Sequence, residues 1–414
     1  MLEAMRFFFD ARYIRTDFHD GISRYSAQLG NAVHAQSPDE VTFLIHDERQ
    51  LEHLPEGAKW LLFHSNESAL EPIAAMKLNK YRPDVVFSPL QTIGTAGRKF
   101  KVIVTLHDLI YYRHRKPPTN LSPLLRLGWR AYHLTYGPQR LALDGADAVA
   151  TVSETSKREI LGHRLTKRPV VVIPNAPNDL RALLPEAQET PILNQTAAKL
   201  GQSAAQLDHA SSSAAATAEP HHPPATTSQT SSDIADASQP IRNLVYMGSF
   251  MPYKGVETLI EGMRELPGRT LHLLSRINQE RRRELEAIVP AGADVVFHEG
   301  VSDEEYAQIL HDDAVLVTAS LDEGYGLPIA EALALGTPAV VTDLEIFHEV
   351  AGDGARYFAP WDARAFAAQV GALDDPAARE ATIAAGLEHM RQFTWERSAR
   401  ILWETATKLA SERG

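Results

Sequence analysis

The sequence contains no cysteine among its 414 residues. This excludes a disulfide framework, a zinc–thiolate site and a thiol nucleophile, and it points to the cytosol as the compartment. No apolar run approaches the roughly 18 uncharged residues of a membrane-spanning helix. The N-terminal apolar run is too short and too charged for a signal peptide, so we expect a first strand there. The net charge of -12 argues against nucleic acid as the principal partner, because phosphate contacts need a basic face.

Short runs of β-branched and aromatic residues recur along both halves of the chain, separated by segments of helical length. In the first half they are RFFFDA, VTFLIH, DVVFSP, KVIVTL, DAVATVS and PVVVIP. In the second half they are NLVYMGS, RTLHLLS, ADVVF, AVLVTAS and PAVVTD. This alternation is typical of parallel, doubly wound sheets. It predicts an α/β protein with two facing Rossmann-like domains, at residues 1–178 and 241–375.

The remaining segments are predicted to form a linker and a tail. Within the linker, residues 179–240, the stretch 196–238 consists largely of Ala, Ser, Thr, Pro, Gln and His. Such a composition cannot bury enough apolar surface to offset its ordering entropy, so we predict a disordered insertion. The tail, residues 376–414, predicts two helices broken near Phe393, of which the second is capped by Thr394 and crosses back to the first domain.

A strand, a turn and a helix follow one another in the run from Ala314 to Gly336. The turn carries Glu323, and the helix that Pro328 begins carries Glu331. Open parallel sheets bind ligands at this edge, where a loop carboxylate can accept hydrogen bonds from a hexose and a helix carboxylate can reach a ribose diol. The helix N-terminus offers N–H groups to the diphosphate between them. The pattern therefore predicts a sugar-nucleotide site; the alternative, an acidic loop before a core helix, leaves Glu331 unexplained among alanines and leucines.

Three further segments carry residues that are suited to binding phosphate or sugar. In YMGSFMPYKGVETL, Gly248 and Ser249 follow a strand and Lys254 precedes a helix, an arrangement that can stabilise a diphosphate leaving group. Gly21 opens a helix after the first strand, where a facing domain would reach the same phosphates; a plain helix start is the alternative. His107 ends the strand KVIVTL on the ligand edge and could bond sugar hydroxyls, with a structural histidine as the alternative.

Together these motifs resemble glycosyltransferase family 4, whose members are retaining enzymes with the two-domain GT-B fold. The resemblance covers most of both halves and excludes the insertion. Its most specific part is the pair of glutamates followed by GTPAVVTD, and the supporting pieces are the KG of the phosphate loop, HEGVSDEEYAQIL, the His–Asp dipeptide, TVSETSK and VIPNA.

The resemblance implies a role for each matched position. Glu323 would hold the transferred hexose with the backbone amides around Gly324. Glu331 would hold the ribose, Lys254 the diphosphate, and His107 would lie by the hexose and the acceptor. The other positions implied in donor binding, including the backbone that would meet the nucleobase at residues 300–302, are Gly21, Gly248, Ser249, Gly300, Val301, Tyr325, Gly326 and Leu327.

One position departs from the family pattern. Most members follow the glycine of the phosphate loop with an arginine, whereas this chain has Ser249. Arg276 ends the strand RTLHLLS, where the family usually has glycine, and is placed to supply the missing cation. We hypothesise that Lys254 and Arg276 together stabilise the leaving diphosphate, so Arg276→Ala should reduce turnover by about one to three orders of magnitude.

The sequence contains no Asp-x-Asp triplet, so a metal-chelated diphosphate is not expected, and neither a metal nor another cofactor is predicted. Lysine, arginine and helix dipoles would then meet the donor's charge. Retention at the anomeric carbon is implied by the resemblance. Since no carboxylate is assigned as a nucleophile, we favour front-face attack in which the departing phosphate oxygen helps to deprotonate the acceptor.

Residues 109–143 contain no Asp or Glu, although the chain is acidic as a whole. In this stretch Trp129, Tyr132 and Tyr136 share one face of a predicted helix that arginines flank. A basic, aromatic amphipathic segment can rest on an anionic bilayer or face a lipid-linked acceptor. The sequence therefore predicts peripheral contact with the inner face of the plasma membrane through residues 113–140; the alternative is packing of the helix on its own domain.

The donor is interpreted as GDP-mannose and the acceptor as a glycolipid or polysaccharide of the cell envelope. The segments GSFMPYKG and HEVAGDGARYFAPWD resemble the mannosyltransferase branch of the family. Two alternatives stay open: a UDP-glucose-dependent glucosyltransferase of the same fold, and an inactive nucleotide-sugar-binding protein disabled at Ser249. A sugar-nucleotide epimerase shares the architecture, but the motif set disfavours it.

Overall fold

The first half of the chain folds into a sheet of seven parallel strands. The computed structural model describes residues 5–17, 20–115, 123–185 and 241–412. The strands are β1 (Phe7–Asp10), β2 (Val41–Ile45), β3 (Lys59–Leu62), β4 (Val85–Ser88), β5 (Lys101–Thr105), β6 (Ala148–Thr151) and β7 (Val170–Val172). Their order is β3-β2-β1-β4-β5-β6-β7. Phe9 pairs with Phe43 on one side and Phe87 on the other, so three aromatic rings fill the centre of the sheet.

The helices of this first domain connect its strands. They are α1 (Gly21–Gln36), α2 (Ala74–Leu78), α3 (Ile110–Arg113), α4 (Pro123–Tyr132), α5 (Gly137–Asp144) and α6 (Glu154–Gly162). Asp20 caps α1 by accepting a hydrogen bond from the Ser23 amide at 2.9 Å, which fixes the turn that follows β1.

The second domain is built on six parallel strands in the order β10-β9-β8-β11-β12-β13. These strands are β8 (Asn243–Tyr246), β9 (Thr270–Leu273), β10 (Asp294–Phe297), β11 (Ala314–Thr318), β12 (Ala339–Thr342) and β13 (Ala355–Phe358). Its helices are α7 (Val256–Gly262), α8 (Gln279–Glu286), α9 (Asp303–His311), α10 (Leu327–Leu335), α11 (Glu345–Ala351) and α12 (Ala363–Gly371).

Two last helices, α13 (Pro376–Met390) and α14 (Trp395–Ser411), connect the second domain back to the first. The Thr394 side chain caps α14 by accepting from the Arg397 amide at 3.2 Å, as predicted. On the inner face of α14, Trp403 lies edge-on to Phe7 of β1 with ring centroids 5.6 Å apart. This helix therefore belongs to the core of the first domain, although the chain reaches it last.

The predicted α/β class with two facing parallel sheets is confirmed, but one edge strand in each sheet was not predicted from the sequence. In β3 every residue is at least partly exposed, so the strand lacks the continuous apolar run of a central strand. In β13 only Ala355 and Phe358 are buried. Neither edge strand has the sequence pattern on which the prediction depended.

Each sheet reverses its strand order beside its first strand, between β1 and β4 and between β8 and β11. Loops that leave the carboxyl ends of strands at such a point diverge and open a crevice. Lys254 follows β8 and Glu323 follows β11, so the topology brings the two loops together even though they are 69 positions apart.

The predicted disordered insertion at 196–238 lies outside the described residues, as do Lys116 and its neighbours up to Ser122. Over the parts of the chain that the structure describes, no helix is both long and apolar enough to cross a membrane.

Candidate active site

The cleft between the two domains holds two adjoining cavities. The first, about 470 Å³, is lined by Glu323 and Lys254 and is called the Glu323 cavity. The second, about 940 Å³, is lined by Glu331 and Arg276 and is called the Glu331 cavity. The residues that line both cavities, and so form their junction, are Asp20, Gly21, Met247, Gly248, Leu327 and Pro328.

Glu323 lies in the loop after β11 and is held by two contacts. Its Oε1 accepts a hydrogen bond from Ser320 Oγ at 2.9 Å, and the same oxygen pairs with Lys254 Nζ. Only 16% of the Glu323 side chain and 14% of the Lys254 side chain are exposed. A carboxylate and an ammonium group are thus fixed beside each other on one wall of the cavity.

The backbone around Lys254 is as constrained as its side chain. Gly255 has φ +61, and a Cβ there would stand 2.3 Å from the Ala319 carbonyl oxygen, so the position requires glycine. The Leu321 amide donates to the Tyr253 carbonyl at 2.7 Å, which joins the Lys254 loop to the Glu323 loop. The two loops therefore form one rigid unit.

Glu331 lies on α10 and is only 4% exposed. Its Oε1 accepts a hydrogen bond from Asn178 Nδ2 at 2.5 Å, and Arg24 Nη1 of the first domain lies 3.9 Å away. Burial raises the pKa of this carboxyl to about 7, against the opposing influence of Arg24 and Asn178. A buried acceptor with this pKa changes its protonation state around neutral pH.

Arg24 also binds Asp303, the first residue of α9. Its Nη2 donates to Asp303 Oδ1 at 2.5 Å. The preceding residue, Ser302, caps α9 and exchanges two hydrogen bonds with Glu305, so the segment 299–302 on the wall of the Glu331 cavity has a fixed conformation.

His107 and Asp108 form the opposite wall of the Glu323 cavity. His107 Nε2 donates to the Pro89 carbonyl at 2.9 Å, and burial lowers the pKa of its ring. Burial raises the pKa of Asp108 to about 6, and the charges of Asp322 and Glu323 add to this rise. A Cβ on Gly324 would lie 2.8 Å from Asp108 Oδ2, so the glycine permits close approach of the two domains.

The remaining predicted residues lie in different parts of the cleft. Arg276 is exposed on the wall of the Glu331 cavity and makes no ion pair with any other described residue. Ser249 lies beside it, and its carbonyl accepts from Tyr246 Oη at 2.6 Å. Tyr325 is buried, and its hydroxyl donates to the Asn175 carbonyl at 2.8 Å, so this side chain connects the domains and only its backbone is left for a ligand. The other predicted residues on the cavity walls are Gly21, Gly248, Gly300, Val301, Gly326 and Leu327.

Sequence reasoning missed Arg24, Asn178 and Asp303. Arg24 stands three residues after Gly21, and a cation one turn into a helix that opens on the cleft was an available signal. Asn178 and Asp303 had no such signal, because each acquires its role through a partner far away in the sequence.

The basic segment at 113–140 makes contacts within the protein that the sequence did not predict. Arg113 binds Asp322 of the second domain in a bidentate ion pair, with contacts of 2.6 and 2.5 Å. Trp129 and Tyr136 pack on Tyr111 and Tyr112, which agrees with the alternative of packing on its own domain. In the described part of this segment the exposed apolar side chains are Leu127 and Leu134, at 64% and 63% exposure, and Leu141 just beyond it is 81% exposed.

Both halves of the chain match known families. Residues 19–179 match the family described as Glycosyltransferase Family 4, and residues 241–375 match Glycosyl transferases group 1. O-antigen chain mannosyltransferase B of Escherichia coli is 30% identical over 37% of this chain and 42% of that protein. MMP alpha-(1->4)-mannosyltransferase of Mycolicibacterium hassiacum is 35% identical over 30% of this chain and 32% of that protein. The matched part thus spans less than half the length of these relatives.

Solved structures resemble the whole of the chain. Sucrose-phosphate synthase from Thermosynechococcus elongatus superimposes with a TM-score of 0.65 at 19% identity, over 99% of this chain and all of that one. WaaG, a glycosyltransferase involved in lipopolysaccharide biosynthesis, gives a TM-score of 0.62 at 14% identity, over 97% of this chain and 99% of its own. At these identities the likeness establishes the two-domain GT-B fold.

Proposed function

Because this chain belongs to glycosyltransferase family 4 and has the GT-B fold, we propose that it transfers mannose from GDP-mannose, with retention, to a saccharide or lipid-linked acceptor of the cell envelope. The mannosyltransferases among its relatives support the sugar. The reaction takes place in the cleft on the cytoplasmic side of the membrane.

One observation carries the proposal: a single strand-to-helix junction presents Glu323 to one cavity and Glu331 to the adjoining one, with Lys254 bound to the first. A nucleotide sugar has the same sequence of groups, a hexose, a diphosphate and a ribose. Glu323 accepts hydrogen bonds from the hexose hydroxyls, and Glu331 accepts them from the ribose diol. The junction of the cavities, at Gly21 and Gly248, receives the diphosphate.

Catalysis follows from the charges around that junction. As the bond from the anomeric carbon to phosphate breaks, negative charge develops on the diphosphate. Lys254 and Arg276 oppose this charge, and the N-terminus of α10 adds the positive end of its dipole. The acceptor hydroxyl attacks the same face of the sugar, and its proton passes to the departing phosphate oxygen.

Metal-independent transfer is part of the proposal, and it is supported by the cations that already line the cleft. We expect full turnover in EDTA. Loss of activity on chelation with recovery in Mn²⁺ would contradict this part, while leaving the assignment of the donor intact.

The donor is tested by a thermal-shift panel of GDP-mannose, GDP-glucose, UDP-glucose and ADP-glucose, followed by turnover assays with each sugar that binds. Binding stabilises the folded protein by mass action, so the correct nucleotide raises Tm in a concentration-dependent way. We expect GDP-mannose to give the largest shift and to be slowly hydrolysed without acceptor. Stabilisation by UDP-glucose alone would favour the glucosyltransferase alternative, and binding without hydrolysis or transfer would favour the inactive protein.

The acceptor is proposed to enter through a polar cavity of the first domain, which shares Asp20 and Ile22 with the Glu323 cavity. This cavity lies at the carboxyl ends of the strands, and the side chains of Arg15, His46 and Asn66 line it. Hydroxyl-rich sugars suit such a mixture of donors and acceptors.

Contact with an anionic bilayer remains a proposal for the segment 123–143. It is supported by exposed Leu127 and Leu134 beside Arg126 and Arg130, in a stretch without acidic residues. We expect the protein to sediment with anionic liposomes at low salt and not with neutral ones. Failure to sediment with the anionic liposomes would overturn membrane contact, and equal sedimentation with both lipids would overturn its dependence on anionic lipid.

A further inference from the structure

Arg24 reaches from the first domain to two carboxylates of the second. Its Nη2 donates to Asp303 Oδ1 at 2.5 Å, and its Nη1 lies 3.9 Å from Glu331 Oε1. Only 23% of its side chain is exposed. A guanidinium presents donors along two edges of one plane, so a single arginine can face both acids at once.

The two carboxylates belong to different parts of the Glu331 cavity. Glu331 projects from α10, and Asp303 follows the segment 299–302 on the neighbouring wall. Since α1, which carries Arg24, moves with the first domain, both contacts exist only while the domains are together.

No other described cation lies within ion-pair distance of Glu331. Without Arg24, the described hydrogen-bond donors to this carboxylate would be two neutral groups, the Asn178 amide and the Tyr306 hydroxyl of α9. A buried charge that loses its partner is strongly unfavourable, so the ionised form of Glu331 depends on a residue of the other domain.

We propose that Arg24 is a positioning residue that joins Glu331 and Asp303 in one interdomain bridge, so that the ribose and base of the donor are held tightly only when the domains close. The inference rests on the proposed function, because it takes the Glu331 cavity as the site of the nucleoside. It assigns to the first domain a part in recognising the nucleoside as well as the phosphates.

Three charged or titratable groups face Glu331: Arg24 from α1, and Asp303 and Tyr306 from α9. Arg24 favours the ionised carboxylate, whereas Asp303 disfavours it. Removing either residue breaks the bridge, but the two removals shift the protonation of Glu331 in opposite directions. This contrast separates a bridge from a general loss of structure.

The test is titration of the full chain with GDP, and in parallel with UDP, by calorimetry between pH 5.5 and 8.5. The variants are Arg24→Gln, Arg24→Lys, Asp303→Asn and the double variant Arg24→Gln/Asp303→Asn. The matched control is Arg158→Gln, which removes another interdomain ion pair, with Glu345 at 2.7 Å, whose residues line neither cavity.

For Arg24→Gln we expect affinity to fall about tenfold or more, as for loss of one charge-assisted contact. The midpoint of the pH dependence should rise by about one unit, since a nearby opposite charge has been removed. Arg24→Lys keeps the positive charge, so its midpoint should stay near that of the wild type, although its binding should be weaker. Asp303→Asn should weaken binding without raising the midpoint, and Arg158→Gln should resemble the wild type.

The double variant should lose less affinity than the sum of the two single losses, because both remove the same bridge. Wild-type affinity and midpoint in Arg24→Gln, or an equal loss in Arg158→Gln, would overturn the bridge and leave the proposed function standing. Failure of the wild type to bind either nucleotide would overturn both. If Arg24→Gln does not fold, as judged by circular dichroism, Asp303→Asn decides the matter: weaker binding with a midpoint below that of the wild type supports the bridge, and wild-type affinity and midpoint overturn it.

Discussion

Glu323 and Glu331 stand on one strand-to-helix junction, yet the cations that face them come from different domains. Glu323 pairs with Lys254 of its own domain, and the two loops are joined by a backbone hydrogen bond. Glu331 is more deeply buried, and the cation beside it, Arg24, belongs to the first domain. The end of the cleft assigned to the hexose is therefore preformed, whereas the end assigned to the nucleoside is completed by domain closure.

This difference has a chemical consequence. A group that must oppose developing charge works best when it is already in place, since no reorganisation is then needed during the reaction. A group that only holds the nucleoside can be brought into place by domain closure when the donor binds. Only a ligand with the correct nucleoside then stabilises the closed form. Substitution of the cations that oppose the leaving charge, Lys254 and Arg276, should accordingly reduce kcat, and substitution of Glu331, which holds the nucleoside, should raise the KM for the donor.

The largest effect is expected for Lys254→Met. It removes a cation that is proposed to oppose the leaving charge and leaves Glu323 without its ion-pair partner, so kcat should fall about 10²–10³-fold. Initial rates at saturating donor measure this. Lys157→Met, which breaks an ion pair with Glu154 within α6, is the matched control and should leave kcat unchanged. A threefold or smaller loss in Lys254→Met would mean that the Glu323 side is not preorganised for the leaving group.

Arg276→Ala is expected to have the next largest effect, a fall in kcat of about one to three orders of magnitude. Its side chain is exposed and has no ion-pair partner among the described residues, so its charge is available to a ligand. Arg283→Ala, on α8 outside both cavities, serves as the control. Unchanged kinetics in Arg276→Ala would disprove the hypothesis that this residue replaces the arginine that the family usually has after the phosphate-loop glycine.

Glu331→Gln should raise the donor KM about tenfold, the loss expected for hydrogen bonds to a charged acceptor. The pH dependence sharpens the comparison with Glu323. Because burial raises the pKa of Glu331 from 4.5 to about 7, the carboxyl is largely protonated below neutrality, and the wild-type KM should fall as pH rises through 7. In Glu331→Gln the KM should not vary over this range.

The same pKa fixes the sign of a stability effect. The folded protein binds the proton of Glu331 more tightly than the unfolded chain does, so this group's contribution is fully present below pH 4.5 and is lost as pH rises through 7. As pH rises from 4.5 to 7, the free energy of unfolding of Glu331→Gln should therefore increase relative to that of the wild type. A difference that stays constant, with a KM that depends equally on pH in both proteins, would contradict the assignment.

The smallest effect is expected for Ser320→Ala, which removes the hydrogen bond to Glu323 at 2.9 Å. The loss in kcat/KM should be about three- to tenfold, at the lower end for a hydrogen bond to a charged group, because Lys254 still holds the carboxylate. Ser398→Ala removes a hydroxyl that is equally buried but bonds the Pro174 carbonyl away from the cavities, and it should affect stability alone. Equal activity losses in the two variants would show that the Ser320 effect is structural.

The strand-to-helix motif could be predicted from the sequence because its parts are consecutive. Glu323, Pro328 and Glu331 lie within one run, and helical geometry alone orders the carboxylates along it. Lys254 was found in the same way, through the glycine and the helix that follow it. The edge strands β3 and β13 were missed, since a strand paired on one side needs no continuous apolar run.

The aromatic face of α4 shows the limit of such patterns. Periodicity predicted one helical face that includes Trp129 and Tyr136, although α4 ends at Tyr132, and the same pattern fits a bilayer and a protein core equally well. In the structure these rings pack on Tyr111 and Tyr112, and the exposed side chains are leucines that the predicted face did not include.

By itself the sequence determined the two parallel sheets, the family and the pair of carboxylates at the strand-to-helix junction, because local periodicity and short motifs encode these features. Only the tertiary structure decided which cation faces which acid. Arg24 and Asp303 are 279 positions apart, and Asn178 and Glu331 are 153 positions apart. Such pairs form when two domains pack together, and the local sequence around either residue does not identify its partner.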